Sequence, residues 1–337
     1  MEEAALDALR NEKLVMGESV YKFEEEFARY IGVRHAISVN SGNSALQISL
    51  LALGISSGAK VMTSTNSFVA SASCILAVNA EPILCDINED GNIDISSANQ
   101  RVDAIIPVHI YGNPCEFDAV REYSDNKIPI IEDACQAHGA IYREKKVGSL
   151  GEIGCFSFYP TKNMNVGGDG GMMTTNNDDL AKIVSSIRDN GRQSRYVHDR
   201  LGYTMRLNTI NAAIGRIQLQ FLDEWNNRRR EIVRIYKKTL SSDCILKENP
   251  DGQAVYHQIV IKHKKRDVIS KHLSDNNIGT MIHYPIPIHK QPLFSKFKFA
   301  LPKSEEFCSH ILSLPSHPLL KDEEVRIIAE KVNEVIV

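Results

Sequence analysis

An α/β fold with a largely parallel sheet, followed by a smaller C-terminal α/β unit, is what this sequence predicts, and three observations carry the prediction. Short apolar and β-branched runs alternate with helical patterns from Gly32 to about Thr175, as expected of strands joined by crossover helices. After Arg206 one long helical stripe runs into a charged segment, NNRRR at 226–230. Beyond it strand and helix patterns mix, so a large unit over 1–228 and a small one over 229–337 are expected. A chain of 337 residues can bury two cores.

The elements follow in order. Val20, Phe23, Phe27 and Ile31 recur at helical spacing and stop at Gly32, a suitable C-terminal cap. Strands are expected at AISV (36), KVMTS (60), PILCD (82), AIIPVHI (104), IPIIED (128), CFSFY (155) and GMMTT (171). Ile210, Ala213, Ile214, Ile217, Phe221 and Trp225 form the stripe of the long helix. The arginines that follow read as a solvated helix face rather than an anion site. AVYHQIVIK at 254 alternates like a strand, SKHLSDNNIG at 270 reads as a helix ended by Gly279, and the last helix starts near Asp322.

Composition excludes several partners. The formal charge is -3, from 39 basic and 42 acidic residues, so no general attraction to nucleic acid or anionic membrane is indicated. Seven scattered cysteines without a C-x-x-C spacing suit reduced thiols in a cytoplasm, and Cys74, Cys85 and Cys155 sit in apolar runs as small hydrophobes. No basic leader precedes an apolar core and no run of 18 apolar residues occurs, so a cytoplasmic protein that neither enters a membrane nor binds a metal is expected.

Three stretches carry chemistry. In CFSFYPTKNMNVGGDGGMMTT (155–175) a strand ends, Pro160 turns the chain, and Lys162 stands on a loop beside glycines 167, 168, 170 and 171. The G-K-[ST] order of a nucleotide-binding P-loop is absent. In IPIIEDACQAHGA (128–140) an apolar strand delivers Glu132 and Asp133 at its carboxyl end, where open α/β sheets bind ligands. A carboxylate there can hold a protonated ring nitrogen; the bland alternative for Asp133 is an N-cap on a helix starting at Ala134. Glu132 should point to the opposite side of the strand. In SVNSGNSALQISLLALG (38–54) a helix start at Ser41-Gly42-Asn43-Ser44 offers free N–H groups for a phosphate.

Together with GESVYKFEEEFARYIGVRHAISVNSGNSAL, NSFVASASCI, VHIYGNP, GYTMRLNTINAAIGRIQL and HYPIPIHKQP, these stretches resemble the DegT/DnrJ/EryC1/StrS sugar aminotransferases. That group is a branch of the fold-type I pyridoxal-phosphate enzymes. The resemblance implies a three-layer αβα large domain around a mostly parallel, mixed sheet, and a small C-terminal domain.

By that resemblance, Lys162 carries pyridoxal 5'-phosphate as a Schiff base and shuttles the proton of the reaction. Asp133 holds the pyridinium nitrogen, Gln136 donates to the cofactor's phenolic oxygen, and Phe68 stacks on its ring. Ser157, Gly42 and Asn43 bind its phosphate. Thr204 replaces the asparagine of the family's GYN-x-R, which reaches the phosphate of the partner subunit's cofactor, and its hydroxyl is shorter by one atom. Arg206, His283 and His289 are implied for the substrate, with a structural role in a Pro-rich turn as the alternative for each histidine. The expected activity is amino transfer, with glutamate as donor, to a nucleotide-linked keto-deoxy sugar at C3 or C4, by a homodimer that shares its active sites across the interface. The alternatives are a pyridoxal-phosphate-dependent sugar dehydratase, known in relatives where histidine replaces the lysine, and a cofactor-less sugar-sensing regulator on the same fold.

Overall fold

A computed structural model describes residues 1–98 and 100–336. The strands of the main sheet are β1 (His35–Val39), β2 (Lys60–Ser64), β3 (Glu81–Cys85), β4 (Ala104–Ile106), β5 (Ile131–Asp133), β8 (Ile153–Ser157) and β9 (Gly171–Thr175); a small hairpin of β6 (Ile141–Tyr142) and β7 (Lys145–Lys146) interrupts them and pairs with β10 (Gly252–Gln253). Parallel bridges Ile105–Ile130 and Val108–Asp133 join the two halves, giving the order β3-β2-β4-β5-β8-β9-β1. Among the described residues β9 is the one strand of this sheet that runs against the common direction of the others. The sheet is therefore mixed and mostly parallel, as expected.

Side-chain alternation sorts the strands onto two cores. Ala36, Met62, Ile105, Phe156 and Met172 face one, while Ile37, Val39, Val61, Ile106, Cys155 and Met173 face the other. Helix α1 (Glu2–Asn11), α2 (Glu18–Ile31), α5 (Phe117–Ser124) and the first half of α7 (Thr209–Thr239) lie on the first side, with α3 (Gly42–Ala52), α4 (Ala70–Ala77) and α6 (Asp178–Ile187) on the second. Three layers result. Gly32 closes α2 at φ 87°, a left-handed conformation that glycine adopts without strain.

The C-terminal part packs the antiparallel pair β11 (Ile259–Lys262) and β12 (Ile311–Leu314) under the second half of α7, α8 (Arg266–Asp275) and α10 (Asp322–Ile336), with α9 (Pro302–His310) leading into β12. Three local expectations change. The α8 helix ends at Asn276, not Gly279: Asn277 takes the left-handed turn at φ 59°, and Ile278 and Asn277 donate to the carbonyls of Leu273 and Ser274. The run at 254 is a strand only from Ile259, because Tyr256 at φ 47° turns the chain and Val255 N–H donates to Gly112 O. Helix α7 passes unbroken through residue 228, and its buried residues Gln218, Leu222, Asn226, Arg229, Val233 and Tyr236 keep one stripe across the charged segment. Arg229 is only 7% exposed, so this segment is not simply a solvated face.

Candidate active site

The strands β1, β2, β5 and β8 run the same way, so the residues after their carboxyl ends meet at one edge of the sheet. There they enclose a cavity of about 460 Å³ lined by Gly42, Asn43, Phe68, Asp133, Gln136, Ser157, Lys162 and His283. Eight of the residues singled out from sequence are thus brought together.

The turn after β8 presents Lys162: its N–H donates to Tyr159 O (2.9 Å) around Pro160, and Phe158 N–H is tied to Gly170 O (2.8 Å). The next residue, Asn163, locks the loop to distant elements, donating to Asn226 Oδ1 (2.8 Å) and Val255 O (3.1 Å) while its Oδ1 meets His257 Nδ1 (3.2 Å). Burial pulls the Lys162 ammonium below its ordinary pKa, opposed by Cys135 and Asp133. A lysine so placed can lose and regain a proton, as a general base requires.

Asp133 is buried, with Oδ2 accepting from Ser71 Oγ (2.7 Å) and Oδ1 from Cys135 N–H (3.2 Å). No helix begins at Ala134; the chain turns there, so Asp133 is not a helix N-cap and its carboxylate faces the cavity. Glu132 points away, as the strand pleat demands. It accepts from the N–H groups of Gly148, Leu150 and Gly151 at 2.7, 2.6 and 2.7 Å and touches His109 Nε2 at 3.1 Å. It is a buried anchor of the β5–β8 connection.

Ser41 caps α3 through Ser44 N–H (3.1 Å) and Ala45 N–H (3.0 Å), which leaves the N–H groups of Gly42 and Asn43 at the helix start beside Ser157. A Cβ on Gly42 would lie 2.7 Å from Ser157 Cβ and 2.8 Å from Cys135 Sγ, so only glycine lets the helix start approach this closely. Gln136 Oε1 accepts from Tyr111 N–H (2.8 Å) and its amide donates to Tyr284 Oη (3.0 Å). The Phe68 ring, 55% exposed, flanks the cavity 6.2 Å from that of Tyr284.

Three expected residues lie elsewhere. Thr204 is exposed and donates to Asn190 Oδ1 (3.0 Å), and Arg206 pairs with Asp189. Neither lines this chain's cavity. His289 is buried between Thr65 Oγ1 (2.8 Å) and Glu305 Oε1 (3.2 Å), so it is a structural histidine and does not line the pocket. His283 does line it, held through Nδ1 by Ser313 Oγ (2.9 Å), with burial and Lys162 lowering its pKa.

Ser71, Tyr284 and His257 also line the cavity, and the sequence reading did not single them out, nor Arg229 nearby. None of the four carried a signal that the sequence reading used; the inward place of Arg229 shows only in the burial pattern of α7. Arg229 lines a second cavity of about 770 Å³ that shares Lys162, His257 and His283 with the first.

Beneath the loop, His138 is buried between Phe156 and Phe158 (centroids 5.4 and 5.7 Å) with both ring nitrogens unpartnered. Burial, then Lys162, pushes its pKa down to about 3. A base depressed in the folded state is protonated first in the unfolded chain, so its contribution to stability is intact above about pH 6.5 and falls as pH drops toward 3. At pH 5 the loss is about 2 kcal/mol. Urea unfolding of His138→Leu should therefore lose about that much less stability than the parent between pH 7.5 and 5; equal losses would contradict the neutral, buried state.

No cluster of His, Cys, Asp or Glu suited to a metal and no helix long and apolar enough to cross a membrane occurs among the described residues. The DegT/DnrJ/EryC1/StrS aminotransferase family model matches residues 1–333. The chain is 36% identical over 342 residues to a pleiotropic regulatory protein of Geobacillus stearothermophilus, covering 97% of this chain and 92% of that protein. It is 35% identical over 334 residues to the dTDP-3-amino-3,4,6-trideoxy-alpha-D-glucose transaminase of Streptomyces venezuelae, covering 96% and 88%. Its fold matches the crystal structure of S. venezuelae DesV in complex with a ketimine intermediate at a TM-score of 0.95 and 35% identity, over 99% of this chain and 93% of that one. With its cavity, its sheet order and these likenesses in agreement, the chain is an enzyme of the DegT/DnrJ/EryC1/StrS aminotransferase family.

Proposed function

We propose that the protein is a cytoplasmic, pyridoxal-phosphate-dependent aminotransferase that moves an amino group from glutamate to C3 or C4 of a nucleotide-linked keto-deoxy sugar, in the making of amino sugars for surface polysaccharide or glycoconjugates. The observation that carries this reading is the convergence of an amine, a buried carboxylate and a helix start with free N–H groups on one cavity, at Lys162, Asp133 and Gly42-Asn43. This donor set fits the cofactor. Lys162 would hold its aldehyde carbon, Asp133 its ring nitrogen, and Gly42, Asn43 and Ser157 its phosphate, with Gln136 and Phe68 at the ring.

When bound, pyridoxal phosphate supplies an electron sink for the carbon that loses a proton. The rest belongs to the chain. Lys162 Nζ, its charge disfavoured by burial, takes the proton from the donor's α-carbon and delivers one to the acceptor. Asp133, fixed by Ser71, holds a positive charge at the ring nitrogen. Tyr284 and Phe68 line the cavity with aromatic rings, which limits water at that wall.

Relatives named for dTDP-, UDP- and GDP-linked sugars support a nucleotide-sugar acceptor. A homodimer with shared sites is supported by the loop that carries Thr204 and Arg206, where Tyr196 and Leu201 are 80% and 74% exposed. In such a dimer those two residues would serve the partner's cavity. The regulator named among the relatives favours a sensing module, but binding alone has no use for Lys162, and the lysine also speaks against the dehydratase.

The absorbance spectrum decides. Protein mixed with pyridoxal phosphate should absorb in the visible and bleach on adding glutamate. A protein that takes up no cofactor would end both the aminotransferase and the dehydratase readings. A bound chromophore indifferent to every amino acid would remove amino transfer. Turnover of dTDP-, UDP- and GDP-keto sugars with product NMR assigns the carbon.

A further inference from the structure

Arg229 lies inside the protein without an acid. Its Nη1 donates to Tyr256 O (3.3 Å), Ser316 O (2.9 Å) and Ser316 Oγ (3.1 Å), all neutral, and its Nε is buried with no partner. No ion pair to Arg229 occurs among the described residues, whereas its neighbour Arg228 pairs with both Glu231 and Asp322. Burial alone acts on Arg229, pulling its pKa down to about 10, with no carboxylate near enough to oppose it. A buried guanidinium left in this state is costly, and an anion arriving beside it removes the cost.

The surroundings say which anion. The side chain borders the 770 Å³ cavity that opens onto Lys162. Among the described residues no Asp or Glu lines that cavity, and Lys162 and Arg229 are its only Lys and Arg side chains. His257 and His283, also in its wall, are held toward the neutral form by burial. With Lys162 committed to the reaction, Arg229 is the one fixed positive charge that this chain itself places in that wall. It matches the single charge and planar fork of a carboxylate; a nucleoside diphosphate would call for more cations than this chain offers there.

We infer that Arg229 receives a carboxylate of the amino donor, making it a positioning residue for the half-reaction that loads nitrogen onto the enzyme. The inference rests on the aminotransferase reading, and it places donor recognition on α7, away from the loop that bears Lys162.

Glutarate, a dicarboxylate without an amine, is the probe. Its affinity for the full-length, cofactor-loaded protein is measured by calorimetry, beside that of dTDP and the KM for glutamate in the bleaching half-reaction. Arg229→Gln should weaken glutarate and raise the glutamate KM by roughly 10- to 100-fold, leaving dTDP unchanged, as expected for loss of a charge-assisted hydrogen bond. Arg229→Lys, which keeps the charge and loses the fork, should fall between. Should Arg229→Gln fail to fold, a loss of at least ~3-fold in the lysine variant is required. Unchanged glutarate affinity, or weakened dTDP in its place, overturns the assignment. Because calorimetry needs no turnover, a parent enzyme that glutamate does not bleach counts against amino transfer, whereas a parent that bleaches beside an Arg229 variant that still binds glutarate removes only this inference.

Discussion

On the proposed function, Lys162→Ala should abolish amino transfer, with kcat falling at least ~10⁴-fold, since the variant would lose both the amine proposed to hold the cofactor and the base proposed to move the proton. Its visible absorbance with pyridoxal phosphate should vanish as well. Folding should survive, because the residue that ties the loop down is Asn163, through Asn226 and Val255, and the backbone turn from Tyr159 does not depend on the Lys162 side chain. The far-ultraviolet circular dichroism and melting temperature should therefore match the parent. A variant with native stability and more than a hundredth of parental turnover would remove Lys162 from the chemistry.

The second large effect is expected at Asp133. Asn keeps the size of the side chain and can still accept from Ser71 Oγ, now 2.7 Å from Oδ2, but it cannot hold a positive charge at the ring nitrogen. Truncating one partner of a buried charge pair costs about 2–5 kcal/mol, which corresponds to a kcat lower by ~30- to ~5000-fold. Glutamate KM should move little, because the charge matters most where electrons flow into the ring. Kinetics of Asp133→Asn at constant pH checks this. A kcat within about threefold of the parent would return Asp133 to the structural duties seen in its bond to Cys135 N–H.

These two residues were legible because each sits in a contiguous motif whose local structure the sequence also specifies. A strand end followed by Pro160 fixes where Lys162 stands, and the strand IPIIED fixes the side to which Asp133 points. Gly42 and Asn43 follow from the helix start they form, whereas Ser157 was singled out by the family resemblance alone. Residues that complete the site from afar were not legible: Ser71 reaches Asp133 from α4, and Tyr284 reaches Gln136 across 148 positions of sequence. No local pattern encodes such a meeting. Arg229 was misread for a different reason. Three consecutive arginines look uniformly solvated, while the helix period of 3.6 turns only the middle one inward, in line with Leu222, Asn226 and Val233. His289 failed in the opposite sense, since a histidine in a Pro-rich segment looks available until Thr65 and Glu305 are found on its two nitrogens.

Helix α7 has a consequence for how the molecule comes apart. At 31 residues it extends roughly 46 Å, contributing Ala212 and Leu222 to a core on the sheet and Ile232, Val233 and Tyr236 to the C-terminal core. Neither core is closed without its own half of this one rod. A helix is also cooperative along its length, so fraying one half weakens the other. Heat or urea should thus meet a single melting unit rather than two beads on a string, and a cavity opened at Tyr236 should loosen Asn226, whose bond to Asn163 holds the Lys162 loop.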